Sequence, residues 1–463
     1  MTTMSAKPTP LGIYGLLPRK NCGVCGVPTC MAFAFKLFEG SLNPEACPFL
    51  TDEAKTQLER TVSPPVKRVS IGVEKQVVIG GKRVLHRHEL RFTNPTAIGI
   101  EVADSACDEA IRKRLMDING FRVERVGQAL GVDLVAVVGT SKEPRRFREA
   151  VSVVHAETQL PLALCADDPR VVEAGLTVVD KKRPLIYAAQ PDTLTGFMEL
   201  SKRYRCPLVL KSHDLNTLRY MASIAVKEGV SVVLDPCTYL KAALRGTLHN
   251  FVTVRRAAVE HGYSEFGSPL LAYPALAWSS EVDPTDARWR ESLLASMLIL
   301  RYADILILRS LETCWLLPVY AARHGIYTDP RVPASVKPGL YSVGVPDETS
   351  PVLATTNYTL TYYTVMRDLE KAGVNCHILV LDTGGMSVLN ALAGGQLNAQ
   401  LMAQALKQLE RSCRVRHRTV IIPGSAARLR GEVEDLTGWE VILGPMDSAG
   451  IPVFLKTSRL RWE

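Results

Sequence analysis

From residue 97 onward, short apolar runs recur along the chain: AIGIEVAD (97–104), VDLVAVVG (132–139), PLALCADDP (161–169), RPLIYAAQ (183–190), CPLVLKSH (206–213), VSVVLDPC (230–237), SPLLAYPA (268–275) and ADILILRS (303–310). Near-continuous hydrophobicity over so few residues is the pattern of a strand buried on both faces, and the intervals, such as LNTLRYMASIAVKEG, carry helical periodicity. Eight such units predict a closed (β/α)8 barrel. After the proline- and glycine-bearing stretch TDPRVPASVKPGLYSVGVPDETS, further strands are legible in PVLAT, NCHILVLDT, RTVIIPG and WEVILGP, which predicts a small doubly wound α/β domain. Ahead of the barrel, KQVVIGGKRVLHRHELRF reads as a hairpin turning at Gly80 and Gly81, and TVSPPVKRVS before it reads as a flexible linker. The expected division is 1–62, 63–335 and 336–463: a small N-terminal module, a central barrel and a C-terminal doubly wound domain.

A chain of 463 residues exceeds what one core usually supports, in line with that division. Its composition, 47% hydrophobic and 22% charged, is that of an ordinary globular protein, and no apolar run approaches the ~18 residues of a membrane span. The first twenty residues lack the charged head, apolar middle and cleavage site of a secretory signal, so a cytoplasmic location is expected and no membrane partner. The net charge of +8 is spread among acids, and the densest basic run, RSCRVRHRT (411–419), has no interleaved aromatics; nucleic acid is not an expected partner.

Eleven cysteines are an awkward number for a secreted disulfide framework. Seven stand singly, Cys107, Cys165, Cys206, Cys237, Cys314, Cys376 and Cys413, and read as thiols packed as small hydrophobes. The other four, in NCGVCGVPTCMAFAFKLFEGSLNPEACPF, read as metal ligands. Cys22, Cys25, Cys30 and Cys47 follow C-x2-C-x4-C-x16-C, with Pro48 after the last. Zinc usually takes two paired knuckles, whereas a cubane cluster takes three close cysteines and a remote one followed by proline. Gly23 and Gly26 let the backbone wrap a bulky inorganic core. The expected cofactor is a [4Fe-4S] cluster, with an apolar helix from TCMAFAFKLFEG packed over it and ended by Gly40.

Polar residues follow several barrel strands: Asp104, Asp167, Asp168, His213, Asp214 and Asp235. In a barrel enzyme that end is catalytic, yet the same residues cap helices in any barrel, and no ligand spacing or nucleophile motif joins them. In the C-terminal domain, the loops TTNYTLTYYT, DTGGMSVLNALAGG, IPGSAAR and GPMDSAG are rich in small and hydroxyl residues and are expected at the carboxyl ends of the strands, where open sheets bind ligands. Neither a G-x-G-x-x-G fingerprint nor a P-loop is present, so a large flat cofactor resting on small residues fits better than a cradled phosphate.

The cysteine spacing, the eight strands and the segments DTGGMSV, VIIPG and WEVILGP together resemble the large (gamma) subunits of corrinoid iron-sulfur proteins, the acetyl-CoA decarbonylase/synthase gamma family, over essentially the whole chain. The resemblance implies a cluster module, a barrel and a cobamide-binding domain. It implies a heterodimer with a smaller corrinoid iron-sulfur protein subunit, and as further partners a methyltransferase for methyltetrahydrofolate or a related pterin, acetyl-CoA synthase and a low-potential electron donor. The implied function is that of a methyl carrier in the acetyl-CoA pathway, with the cluster returning oxidised cobalt(II) to cobalt(I). Candidate corrinoid contacts are Thr349, Thr355, Thr356, Asn357, Leu381, Asp382, Thr383, Gly384, Gly385, Met386, Ser387, Gly424, Gly444 and Pro445. Gly384 and Ser425 depart from the family pattern. No D-x-H-x-x-G signature occurs, so a base-off cobamide without a protein histidine ligand is expected, with Thr383 either under the metal or capping the helix that follows. Two other readings stay open: a barrel that is itself a pterin-dependent methyltransferase through Asp104, Asp168 or Asp235, and a pure iron-sulfur electron carrier.

Overall fold

The computed structural model describes residues 9–238, 244–278, 282–411 and 415–457; Cys413 lies outside them. The chain divides into two compact units, Met1–Val123 with Leu130–Asp329, and Glu124–Ala129 with Pro330–Glu463.

The first unit begins with the cysteine-bearing segment. Its helix Cys30–Glu39 starts where the Thr29 side chain accepts the Ala32 N–H and stops at Gly40, which takes a left-handed conformation (φ 74°). Ile13, Phe33, Ala34, Leu37, Leu50 and Leu58 form a small core shared with the helices Pro10–Gly15 and Asp52–Val62. The segment TVSPPVKRVS is not a free tether. Thr61 and Val62 end a helix, and Arg68 begins strand β1 (Arg68–Ile71). Between them Val66 is buried with Leu85 and Val259, and the Lys67 N–H donates to the Gly267 carbonyl at 2.9 Å. An apolar side chain with a buried site outweighed the prolines beside it.

Strand β1 pairs antiparallel with β2 (Val77–Gly80), Ile71 opposite Val77, so the hairpin exists but turns over residues 72–76 rather than at Gly80 and Gly81. Gly72 makes that turn possible: its φ is 88°, and a Cβ there would stand 2.2 Å from the Lys75 carbonyl oxygen. Val69, Ile71 and Ile79 enter the apolar cluster that fills the barrel interior, and Gly72 and Gly80 abut Pro161 and Pro269 at the N-terminal ends of barrel strands. The hairpin therefore plugs that end of the barrel.

The barrel strands are β3 (Ala97–Ala103), β6 (Leu134–Val138), β7 (Leu162–Cys165), β8 (Leu185–Ala189), β9 (Leu208–Lys211), β10 (Val232–Asp235), β11 (Leu271–Ala272) and β12 (Ile305–Leu308), each inside an expected run. They form one parallel sheet in the order β10-β9-β8-β7-β6-β3-β12-β11. A parallel bridge between Leu234 and Leu270 brings the two edges almost to closure. Alternation along the strands divides the core. Leu134, Ala136, Ala163, Val209 and Val233 face inward, while Ile98, Ile100, Val135 and Val137 pack under the helices. The segment FRVERVGQALG adds an unexpected hairpin, β4 (Val123–Arg125) with β5 (Gln128–Leu130), whose tip belongs to the second unit.

That second unit is a five-stranded sheet in the order β13-β15-β14-β16-β17: Gly339–Val343, Cys376–Leu381, Val352–Thr356, Thr419–Ile422 and Glu440–Leu443. Four strands are parallel and occupy the expected runs; β13, antiparallel to β15, lies in the proline- and glycine-bearing stretch where no strand was expected. The first parallel strand, β14, sits between the second and third, so the strand order reverses at β14 and β16. Val352, Ala354 and Leu379 pack on Met402 and Leu406 on one face, Leu353 and Val380 on Tyr362 and Leu369 on the other. Among the described residues, no helix is long and apolar enough to cross a membrane.

Candidate functional site

Two places bring candidate site residues together. In the first, Gly23 and Gly26 turn the chain through the left-handed region, φ 74° and 85°, with open space where a Cβ would stand. Asn21 fastens the loop to the helix: its side-chain oxygen accepts the Cys30 N–H at 2.8 Å, and its own N–H donates to the Cys30 sulfur at 3.4 Å. Cys30 opens a helix, and Cys47 follows the short turn Pro44–Ala46. Cys30 and Cys47 are buried, Cys25 half-buried and Cys22 exposed. Zinc would draw its sulfurs to about 2.3 Å of one point, whereas a cubane spreads its thiolates over a larger body. An all-thiolate set on a glycine loop, half buried and holding an N–H to sulfur, fits an iron-sulfur cluster.

The second place is a cavity of about 470 Å³ at the carboxyl ends of β14, β16 and β17, where the strand order reverses. Of the candidate contacts, Thr355, Ser387, Gly444 and Pro445 line it, and so does Ser425. Others act one layer behind. Asn357 is buried, and its side-chain oxygen accepts the Thr383 N–H (3.0 Å), the Thr383 hydroxyl (3.0 Å) and the Gly385 N–H (2.9 Å), while its amide donates to Asp382 (3.0 Å). The single Thr383 hydroxyl proton is shared between Asn357 and the Met386 carbonyl oxygen, also 3.0 Å away. Asn357 and Thr383 thus hold the DTGG turn in shape, and the helix Val388–Ala393 takes Ser387 as its N-cap residue, not Thr383. Gly384 faces open space with φ 65°; Gly385 is pressed against Pro333 and Ser335. A Cβ on Gly424 would meet the Gly444 carbonyl oxygen at 2.6 Å, so these glycines let two lining loops touch. Leu381 is core, and the Thr356 hydroxyl is buried with no hydrogen-bond partner among the described residues. Thr349 is not brought to the cavity: it precedes β14, at the opposite end of the strand, where Asp347 accepts its N–H and hydroxyl.

Several lining residues were not expected. In TTNYTLTYYT, Thr355 and Thr356 end β14 and the loop is only Asn357 and Tyr358; a helix follows, Thr359–Lys371, and its N-cap residue Tyr358 with Thr361, Thr364 and Val365 lines the cavity. Their spacing of three and four was the available signal. Leu360, Leu389 and Met446 give the opening an exposed apolar rim.

Replacing Asn357 with alanine is expected to lower stability by about 2–3 kcal/mol, since three donors lose one buried acceptor. Urea unfolding of the purified variant checks this, and an unchanged midpoint would contradict the assigned role.

At the carboxyl end of the barrel the acidic residues are mostly engaged. Asp104 accepts from the Thr140 hydroxyl and the Ser141 N–H, both 2.9 Å, while Asp168 and Asp214 cap helices. Asp167 accepts from Gln190, and His213 is exposed. Asp235 is buried, accepting from the Tyr187 hydroxyl and the Cys237 N–H at 2.9 Å each, and burial raises its pKa to about 6. Of the single cysteines described, Cys165, Cys206, Cys237 and Cys376 are buried as expected, but Cys107 and Cys314 are exposed.

Residues 68–455 match the family described as CO dehydrogenase/acetyl-CoA synthase delta subunit, and residues 17–49 match one described as "Putative Fe-S cluster". The acetyl-CoA decarbonylase/synthase complex subunit gamma of Methanothermobacter thermautotrophicus is 43% identical over 453 residues, covering 96% of this chain and 98% of its own. The protein of the same name from Methanopyrus kandleri is 42% identical, covering 97% and 98%. Among solved structures, a dihydropteroate synthase from Coxiella burnetii in complex with pteroic acid aligns over 57% of this chain and 100% of its own, at 12% identity and a TM-score of 0.39. By its match over most of its length and by these relatives, the chain belongs to the CO dehydrogenase/acetyl-CoA synthase delta-subunit family, alongside the gamma subunits of acetyl-CoA decarbonylase/synthase complexes.

Proposed function

We propose that this chain is the corrinoid iron-sulfur subunit of an acetyl-CoA decarbonylase/synthase system, carrying methyl groups from a methyl-pterin methyltransferase to acetyl-CoA synthase in the cytoplasm. The observation that carries the reading is the crevice of the C-terminal sheet: small and hydroxyl residues inside, an apolar rim outside, and Asp447 as the one charged residue in its described lining. That chemistry suits a broad, largely uncharged macrocycle with amide edges. Thr355, Ser387 and Ser425 would bond its polar edge, the Gly444–Pro445 loop would approach it closely, and Leu360, Leu389 and Met446 would keep water from its face. A bound cobamide supplies a metal nucleophile for methyl transfer, and a [4Fe-4S] cluster on Cys22, Cys25, Cys30 and Cys47 supplies the low-potential electron that keeps it active.

The two histidines of this unit do not enter the described lining of the crevice. His377 and His417 lie near the N-terminal ends of β15 and β16, with Nε2 3.3 Å from the Asp347 carbonyl oxygen and 3.0 Å from that of Ser350. The proposal therefore includes a base-off cobamide without a protein histidine ligand, a heterodimer with the smaller corrinoid iron-sulfur protein subunit, and an external low-potential donor. A three-part division at 62/63 and 335/336 belongs to the same reading.

The division of labour can be tested on the Cys25→Ala variant of the full chain. Reduced chemically beforehand, it is expected to accept a methyl group from the methyltransferase at close to the wild-type rate, yet not to be reactivated by a protein electron donor after oxidation. Failure of the pre-reduced, corrinoid-loaded variant to be methylated would give the cluster a direct part in transfer and defeat the assignment.

A further inference from the structure

A second cavity, of about 370 Å³, opens at the carboxyl end of the barrel, between the ends of β3 and β12. One wall is apolar, made by Ala103, Ala106, Ala110 and Ile111. Trp278 also lines the cavity, with a guanidinium on its ring from each of two arginines, Arg288 at 5.2 Å and Arg309 at 5.6 Å from the ring centre. Trp278 is rigidly held. Buried Glu291 accepts the Trp278 indole N–H at 3.1 Å and the N–H groups of Arg309 and Ser310 at 2.6 and 3.0 Å.

The charges are unevenly matched. Arg288 pairs with Glu312 at 2.9 Å and Arg309 pairs with Glu101. Arg114, reaching in from the helix Asp108–Gly120, has no carboxylate within 4 Å among the described residues and donates to the Arg309 carbonyl. A guanidinium carries five N–H donors in a planar fork, so most of this one is unspent. Burial holds it below its ordinary pKa, against the pull of Glu101, Glu312, Asp117 and Glu291 farther off. The helix Thr313–Tyr327 begins at the same turn, and its N-cap residue Glu312 makes no side-chain cap bond. The place is also one where barrels commonly hold oxyanions, the loops after the seventh and eighth strands.

We propose that this pocket binds a small ligand bearing a phosphate or carboxylate on a flat apolar body, the oxyanion held by Arg114 and the body lying between Trp278 and the Ala106–Ala110 wall. It is separate from the crevice assigned to the corrinoid, and it makes the barrel a ligand-binding part of the molecule as well as a scaffold.

Calorimetric titration of the full chain with phenyl phosphate, benzoate and phenol tests this. One or both anions are expected to bind saturably and phenol not to bind, the stronger anion showing whether phosphate or carboxylate is preferred. Arg114→Gln is expected to weaken binding about tenfold or more, since a charge-assisted bond is lost. Ala110→Phe, which narrows the pocket from an exposed helix position without altering any charge, is expected to weaken it as well. Corrinoid and iron content should be unchanged in both variants. Absence of saturable binding by either anion, or binding by both variants as tight as wild type, would overturn the proposal.

Discussion

Replacing Ser425 with tryptophan is expected to yield a folded protein that purifies with little or no cobalt. Ser425 is half-buried in the crevice lining, on the segment Gly424–Leu429, while its neighbours Ala426 and Leu429 face the core. An indole at this position projects into the space assigned to the macrocycle and displaces no packed side chain, so stability should change by about 1 kcal/mol or less. Cobamide contact needs that space, and a loss of at least tenfold in bound cobalt is the expected result. Ser425→Ala, which removes one hydroxyl and adds no bulk, should keep most of it. Cobalt analysis and circular dichroism on both variants decide the matter. Full cobalt in the tryptophan variant would place the corrinoid elsewhere.

The second large effect is expected from Cys25→Ala, which should remove essentially all iron while leaving cobalt in place. A three-thiolate remnant on an open glycine loop leaves one iron corner without its ligand. The segment around it has a small core, with Ile13, Phe33, Leu37 and Leu58 among its few fully buried side chains. Segments of this size commonly depend on their metal for folding. Iron and sulfide analysis should show the loss, and calorimetry should show an earlier transition for the N-terminal segment. A protein that instead carries zinc and no iron after anaerobic purification would contradict the cluster assignment.

The barrel was legible because its strands are apolar on both faces, a pattern that survives in β11 even though only Leu271 and Ala272 are paired as strand. What the pattern lost were elements without that contrast. Strand β13 is an edge strand with a mostly exposed face, embedded among prolines and glycines, and β4 and β5 are three residues each. The adjacent Gly80 and Gly81 outweighed single Gly72 as a turn signal, although backbone crowding at Gly72 decides the turn. At the crevice, the loops were found but the roles of their residues were not. Asn357 and Thr383 are polar residues at strand ends, as ligand contacts would be, and only the folded geometry shows that they spend themselves on each other. The helical spacing of Tyr358, Thr361 and Thr364 was present in the sequence but hidden inside a segment read as loop.

The most direct test is the visible absorption spectrum of anaerobically purified full chain, taken with iron, cobalt and zinc analysis of the same sample. The account predicts corrinoid bands over broad iron-sulfur absorption, with cobalt and iron both present. Flavin bands in place of corrinoid, or zinc without iron and cobalt, would contradict it.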